Sequence, residues 1–120
     1  MPWPHSLRRA ALALALAHMA MGSDAETAER VTPSVSRQQA LVHIVRQDCG
    51  SCHGMRLTGG LGPPLTATAL SERPLLAVVS TILHGRPGTP MPGWHPLLSE
   101  EDAQWIARQL QAGFPEESTP

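Results

Sequence analysis

Cys49-Gly50-Ser51-Cys52-His53 is the stretch on which the reading of this 120-residue chain turns. It holds the only two cysteines of the sequence, and a histidine follows the second directly. This is the C-x-x-C-H pattern of covalent c-type haem attachment. On a helical turn, residues three apart lie on one face. Two thiols at that spacing can each form a thioether with one vinyl group of a single haem. His53 then lies under the iron as proximal ligand. Other uses of a cysteine pair fit less well. A thioredoxin-like site needs a βαβ setting and no histidine, and the chain shows few strand patterns. A structural zinc site needs four ligands in paired spacings, and a second cysteine pair is missing. A plain disulfide between Cys49 and Cys52 is the remaining alternative.

Working outward, the residues before Cys49 read as a helix that delivers the thiols. Ser36 and Gln39 make an S-x-x-Q capping box. Ala40, Leu41, Ile44, Val45 and Asp48 recur at helical spacing as one face, while Arg37, Gln38 and Arg46 fall elsewhere. His43 reads as a surface or half-buried helix histidine. After His53 the chain turns irregular, with Gly54, Gly59, Gly60, Gly62, Pro63 and Pro64 within eleven residues. It is no phosphate loop, since no Lys-Ser/Thr pair opens a helix behind it. A ligand imidazole normally donates its other ring N–H to a fixed acceptor. A Gly-Pro turn folding back could offer one, so Pro63 is the candidate carbonyl for His53, with Leu65 packing on the haem edge.

A second helix is expected over about 74–84. Pro74 suits its first turn, Leu75, Leu76, Val78, Val79, Ile82 and Leu83 form its apolar stripe, and Gly85 follows its end. Met91 comes next, between Pro90 and Pro92, in an extended backbone of low entropy. A thioether held this way suits the sixth position of a haem iron. The alternative is that Met91 fills the core. Met55 is too close to His53 to reach the opposite haem face. His84 and His95 are the other conceivable iron ligands. The last helix begins after Ser99, with Asp102 completing a capping box. Ala103, Ile106, Ala107 and Leu110 face inward, Trp105 is partial core, and Gly113 closes the helix with Pro115 behind it.

Composition and the N-terminal residues set the remaining limits. One domain is expected, with a core so small that a bound apolar plate would matter. Every basic residue is arginine, the formal charge is −1, and no basic run suggests a nucleic-acid face. Arg8 and Arg9 precede a twelve-residue apolar run, Ala10 to Met21, broken only by His18. Ala20-Met21-Gly22 offers a cut before Ser23, so residues 1–22 read as a signal peptide. The run is too short to span a bilayer of about 30 Å, so no stable membrane insertion is expected. No cysteine lies near the cut, which excludes a lipid anchor there. Cleavage removes two arginines and no acid, leaving seven arginines against ten acids, or −3. Residues 23–33 read as a disordered lead-in, 34–116 as the domain, and 117–120 as a frayed tail.

The order of helix, C-x-x-C-H, Gly-Pro loop, helix, Met loop and C-terminal helix resembles class I cytochrome c. Three stretches narrow the likeness: Arg46 to Gly54, Thr58-Gly59-Gly60-Leu61-Gly62-Pro63, and Ile82 to Pro92 with its Gly85-Arg86-Pro87-Gly88-Thr89-Pro90-Met91-Pro92. These are similar to the cytochrome c55X family, small monohaem cytochromes encoded beside cytochrome cd1 nitrite reductase. The resemblance implies an all-α class I cytochrome c fold, three to four helices with Gly/Pro loops around one covalent haem c. It also implies Cys49 and Cys52 as attachment points and His53 and Met91 as axial ligands. Arg86 is the further residue expected at the haem. The implied role is single-electron transfer in the periplasm by a monomer that is not an enzyme. The implied partner is cytochrome cd1 nitrite reductase or, alternatively, a haem d1 maturation protein; a haem-based gas sensor is the second alternative. The donor upstream is not indicated. Gly50-Ser51 and the loop from Gly88 to Gly93 carry no charge, so a mostly neutral contact patch is expected, rimmed by Arg56 and Arg86. The acids Glu100, Glu101, Asp102, Glu116 and Glu117 should lie away from it.

Overall fold

A computed structural model describes residues 32–116. The expected signal peptide, residues 23–31 of the expected lead-in, and the tail at 117–120 lie outside the described residues. Within 32–116 all regular structure is helical: α1 (Val35–Ile44), a π-helical turn (Val45–Cys49), α2 (Gly50–His53), α3 (Ala67–Leu70), α4 (Leu75–His84) and α5 (Glu100–Ala112). The first three follow one another without a break, and long connections rich in Gly and Pro lead into α3 and α5. No helix among the described residues is long and apolar enough to cross a membrane.

The start of α1 differs from the sequence expectation. Its N-cap is Ser34, not Ser36. Ser34 is extended, and its hydroxyl accepts the Arg37 N–H at 3.3 Å. Gln38 then donates its side-chain amide to the Pro33 carbonyl at 2.8 Å. Ala40 is exposed, against expectation, and Leu41 and Val45 take the core positions. The α4 stripe is also narrower than expected. Pro74 caps the helix from outside, Val79 is its one buried residue, and Leu76 faces solvent. The short α3 was not foreseen. Thr66 caps it by accepting the Ala69 N–H at 3.3 Å.

Helix α5 is the post against which the rest packs. Its face of Ala103, Ile106, Ala107 and Leu110 is buried as the periodicity predicts, and Trp105 joins it. Leu41, Val45, Leu57 and Leu98 complete the main cluster, while Val79 meets Ala103 and Ala107 in a second one. Each fully buried Leu, Ile or Val contributes about 1.5–3 kcal/mol relative to exposure. Gln111, near the end of α5, donates to the carbonyls of Leu70 (3.3 Å) and Arg73 (2.7 Å), which fixes the turn between α3 and α4.

Two arginines tie the two ends of the described region to this frame. Arg46 is only 7% exposed, contrary to the expectation that it lies off the buried face. It is tolerated because carbonyls receive its guanidinium: Phe114 at 3.1 Å and Pro115 at 2.7 Å. Its cation lies 5.5 Å from the Phe114 ring centre, and that ring meets Trp105 edge-on. Arg37 on α1 grips Asp102 on α5 with two bonds, 3.1 Å to Oδ1 and 2.7 Å to Oδ2. Asp102 also completes the α5 capping box, accepting the Ser99 N–H at 3.1 Å while its own N–H reaches the Ser99 hydroxyl at 3.1 Å.

Arg37, foremost, and the Ser99 N–H hold the Asp102 carboxyl below its ordinary pKa, against the opposing effect of burial. A carboxyl depressed on folding adds stability above its unfolded pKa of about 3.9, and that stability is lost as pH falls through the folded value. Asp102→Asn should therefore lower the unfolding free energy by about 1–2 kcal/mol at pH 7, the loss of a charge-assisted pair in a capping box. Urea unfolding of both proteins at pH 7 and at pH 3 checks this. The gap should shrink at the lower pH, and an equal gap at both would show that the charge is not its source.

Candidate haem site

The site is built where α1 runs into the cysteines. Across Val45–Cys49 the helix widens, and the Gly50 N–H reaches back five residues to the Val45 carbonyl. Such π-turns recur at functional sites because they re-aim the residues that follow. Helical backbone resumes through Cys49 and α2 and stops at Gly54, whose φ of +88° only glycine adopts readily. Cys49 and Cys52 therefore sit three apart on one helical stretch. Both thiols are free, Cys52 exposed and Cys49 half-buried against the core. Burial foremost, with the Asp48 charge adding, pushes the Cys49 thiol up to about 11, so it stays protonated at neutral pH.

His53 is 9% exposed, and its Nδ1 donates to the Pro63 carbonyl at 2.7 Å. A carbonyl can only accept, so the ring proton is on Nδ1 and Nε2 keeps its lone pair. The loop that brings Pro63 round is laced to the turn it covers. Gly59 N–H donates to the His53 carbonyl and Gly62 N–H to the Cys52 carbonyl, both at 2.8 Å. Backbone meets imidazole so closely that a Cβ on Gly62 would lie 2.7 Å from both Nδ1 and Cε1.

Two features of this loop escape sequence reading. Leu57 is 2% exposed and adopts φ +60°, a conformation that costs a non-glycine residue about 1–2 kcal/mol. Its N–H donates to the Gly54 carbonyl (2.7 Å) and its carbonyl accepts from Leu65 (2.8 Å), so the strained residue is the knot of the loop. Nothing in a lone leucine signals this. Leu61, at the loop tip, is 95% exposed. Its setting between Gly60 and Gly62 was the available hint.

Leu65 is half-buried against the main core cluster. Met91 is half-buried on the loop after α4. Arg86 N–H donates to the Met91 carbonyl (3.2 Å), and the Thr89 hydroxyl accepts the Met91 N–H (3.3 Å) while donating to the Arg86 carbonyl (2.7 Å). A Cβ on Gly85, at φ +68°, would lie 2.5 Å from the Met91 carbonyl oxygen. The loop is therefore cinched at its root by a glycine that nothing larger can replace. The Arg86 side chain is exposed, as are His43, His84 and His95.

This donor set fits a c-type haem. Two free thiols, an imidazole with its Nε2 lone pair available and a thioether are the groups such a haem uses. The apolar side chains Ile44, Leu65, Leu70, Ile82 and Trp94 are only partly buried around the main cluster, a surface suited to a porphyrin face. No group of three or more His, Cys, Asp or Glu side chains that could hold a metal ion occurs among the described residues, so the donors do not suit a protein-caged ion instead.

Comparison with known proteins agrees. The family described as cytochrome c oxidase, cbb3-type, subunit III, matches residues 36–108. Cytochrome c55X of Paracoccus denitrificans (strain Pd 1222) is 58% identical over 86 residues, covering 72% of this chain and 84% of that one. The solved c-type cytochrome NirC superposes with a TM-score of 0.66 at 55% identity, over 67% of this chain and 94% of its own. Dihydro-heme d1 dehydrogenase NirN, solved in complex with DHE, aligns at 35% identity with a TM-score of 0.56, over 64% of this chain but only 17% of its own. The helical fold without strands among the described residues, the C-x-x-C-H turn and these identities make one conclusion: the chain belongs to the cytochrome c55X family, c-type cytochromes that carry electrons and are not enzymes.

Proposed function

We propose that the protein holds one haem c through Cys49 and Cys52, with His53 and Met91 as axial ligands, and carries single electrons in the periplasm to cytochrome cd1 nitrite reductase. A haem bound there supplies a one-electron iron couple. The observation that carries the reading is the 2.7 Å bond from His53 Nδ1 to the Pro63 carbonyl, since it fixes the tautomer a proximal ligand needs. Gly62 leaves the ring no room to tilt toward the loop. Pro90, Pro92 and the cinched root limit the movement of Met91, which keeps a sixth ligand in place between oxidation states. A carrier benefits from such rigidity because little reorganises when the electron moves.

The contact surface is read from charge. Gly50, Ser51 and residues 88–93 bear no charge, Leu61 and Met55 are exposed apolar groups near the haem turn, and the exposed Arg56 and Arg86 would rim the patch. Small redox interfaces bury under about 1,200 Å² and are weak. The second reading is an electron partner in haem d1 maturation. It is favoured by the likeness to part of dihydro-heme d1 dehydrogenase.

Covalent attachment should show as haem that stays with the polypeptide in acid acetone. It should be released only when Cys49 and Cys52 are both replaced by Ala. Haem extracted from the unaltered protein would reject the thioethers.

For Met91→Ala, the sulfur-to-iron absorption band at the red end of the oxidised spectrum should vanish. The potential should fall by roughly 0.2 V, well inside the ~0.8 V that axial ligation spans. An unchanged spectrum would hand the sixth position to His84 or His95.

Stopped-flow oxidation of the reduced protein by cytochrome cd1 nitrite reductase should change less than about threefold between low and moderate salt, because a neutral patch steers weakly. No transfer at either salt would reject the donor role and favour the maturation reading. Transfer with a steep salt dependence would keep the donor role and reject the neutral patch.

A further inference from the structure

His84 and His95 face each other at the surface, at the two ends of the Met91 loop: both are exposed, and their ring centres lie 6.3 Å apart with planes inclined at 35°. Their backbones are held, so the pairing does not depend on two loose side chains meeting. Trp94 N–H donates to the Ile82 carbonyl (3.0 Å) and His95 N–H to the Leu83 carbonyl (3.2 Å), which lays residues 94–95 along the last turn of α4. Gly93 allows that approach, since a Cβ there would lie 2.7 Å from the Leu83 carbonyl oxygen. The His95 ring adds a third tie: its Nδ1 donates to the Leu83 carbonyl at 3.2 Å. In the neutral ring this places the proton on Nδ1 and leaves Nε2 as the nitrogen able to bind a metal. This is the orientation that a backbone carbonyl imposes on a metal-binding imidazole. His84 ends α4, where the helix dipole favours positive charge.

We propose that His84 and His95 form a surface site for a divalent cation of the zinc class, with water completing the coordination. Two imidazoles bound at about 2.0–2.1 Å to one tetrahedral ion put their ring centres roughly 5–6 Å apart. At 6.3 Å the pair is wider than that by up to about 1 Å, a gap that rotation of the two exposed rings closes. Two nitrogens without a carboxylate select zinc, nickel or copper(II) over calcium or magnesium. The histidines flank the ten residues from Gly85 to Trp94, the loop that bears Met91. A bound ion cross-links the two ends of that loop and restrains it. The site needs no haem, so it stands apart from the electron-carrier reading.

The test is titration of the purified, tag-free protein with zinc chloride, followed by calorimetry and by thermal melting. One equivalent should bind with a dissociation constant on the order of 1–100 μM and raise the melting temperature. His84→Gln and His95→Gln should each weaken binding at least tenfold and abolish the rise, while His43→Gln on α1 should do neither. Far-UV circular dichroism shows whether each variant keeps its helices. Zinc-induced shifts of the His84 and His95 ring resonances by nuclear magnetic resonance give a readout that needs no variant. Binding that survives both substitutions, ring resonances that do not move, or no heat below millimolar zinc would overturn the proposal.

Discussion

The hydrogen bond from His53 Nδ1 to the Pro63 carbonyl is the constraint on which the site depends. It spans ten residues of chain with no regular structure of its own, so everything between must be folded to deliver one oxygen. The glycines do this by absence of bulk. Gly62 lies against the ring, and a Cβ on Gly60 would lie 2.7 Å from the Cys52 carbonyl oxygen. Leu57 does the opposite. Its side chain is anchored in the core, and its backbone accepts an unfavourable φ so that the loop can reverse. The local strain is sustained by burial, since a fully buried leucine contributes about 1.5–3 kcal/mol, similar to the cost of the conformation.

The frame behind the loop is held at both ends by polar ties. Arg37 joins α1 to the first turn of α5 through Asp102, and Arg46 joins the π-turn to residues 114–115 beyond α5. Arg46 lies three residues before Cys49, so the same turn that carries the first thiol is locked to the C-terminal strap. Burying a guanidinium is costly unless its donors are met. Here the carbonyls of Phe114 and Pro115, just beyond the end of α5, meet them.

Sequence reading went furthest where one residue type permits one geometry. The spacing of Cys49, Cys52 and His53, the Ser99-Asp102 capping box, Gly85 and Gly113 as helix stops, and the α5 periodicity are of this kind. The Gly-Pro loop also suggested which carbonyl could reach His53, because proline halts the chain where glycine has let it turn. Reading failed where choice depended on packing. Ser34 and Ser36 are both competent caps by residue type, and the spacing alone does not tell which one the backbone uses. Arg46 looks like a surface residue until the strap at Phe114 and Pro115 folds over it. Leu76 belongs to an apolar stripe by spacing, yet α5 is too narrow to cover the whole of it. The meeting of His84 with His95 is equally invisible in the sequence, since it rests on backbone bonds between residues twelve apart.

The division of labour between apolar and polar contacts has a functional sense. A core that rests on Trp105, Ile106, a few leucines and valines and small alanines is modest, and small cores commonly need a staple. A covalent haem can supply that staple only if the chain already presents apolar faces around it, as Leu65, Ile82 and Trp94 do. Yet a carrier must not let its frame change with the oxidation state of the group it holds. Ties at Asp102 and at the strap beyond α5 hold the frame, and the His53–Pro63 bond holds the ligand, which separates the two tasks. The frame is fixed by interactions that the electron does not touch, and the two proposed ligands are fixed by loops whose backbones are too crowded to move. This is why glycine and proline, normally the residues of mobility and interruption, are here the residues that make the site stiff.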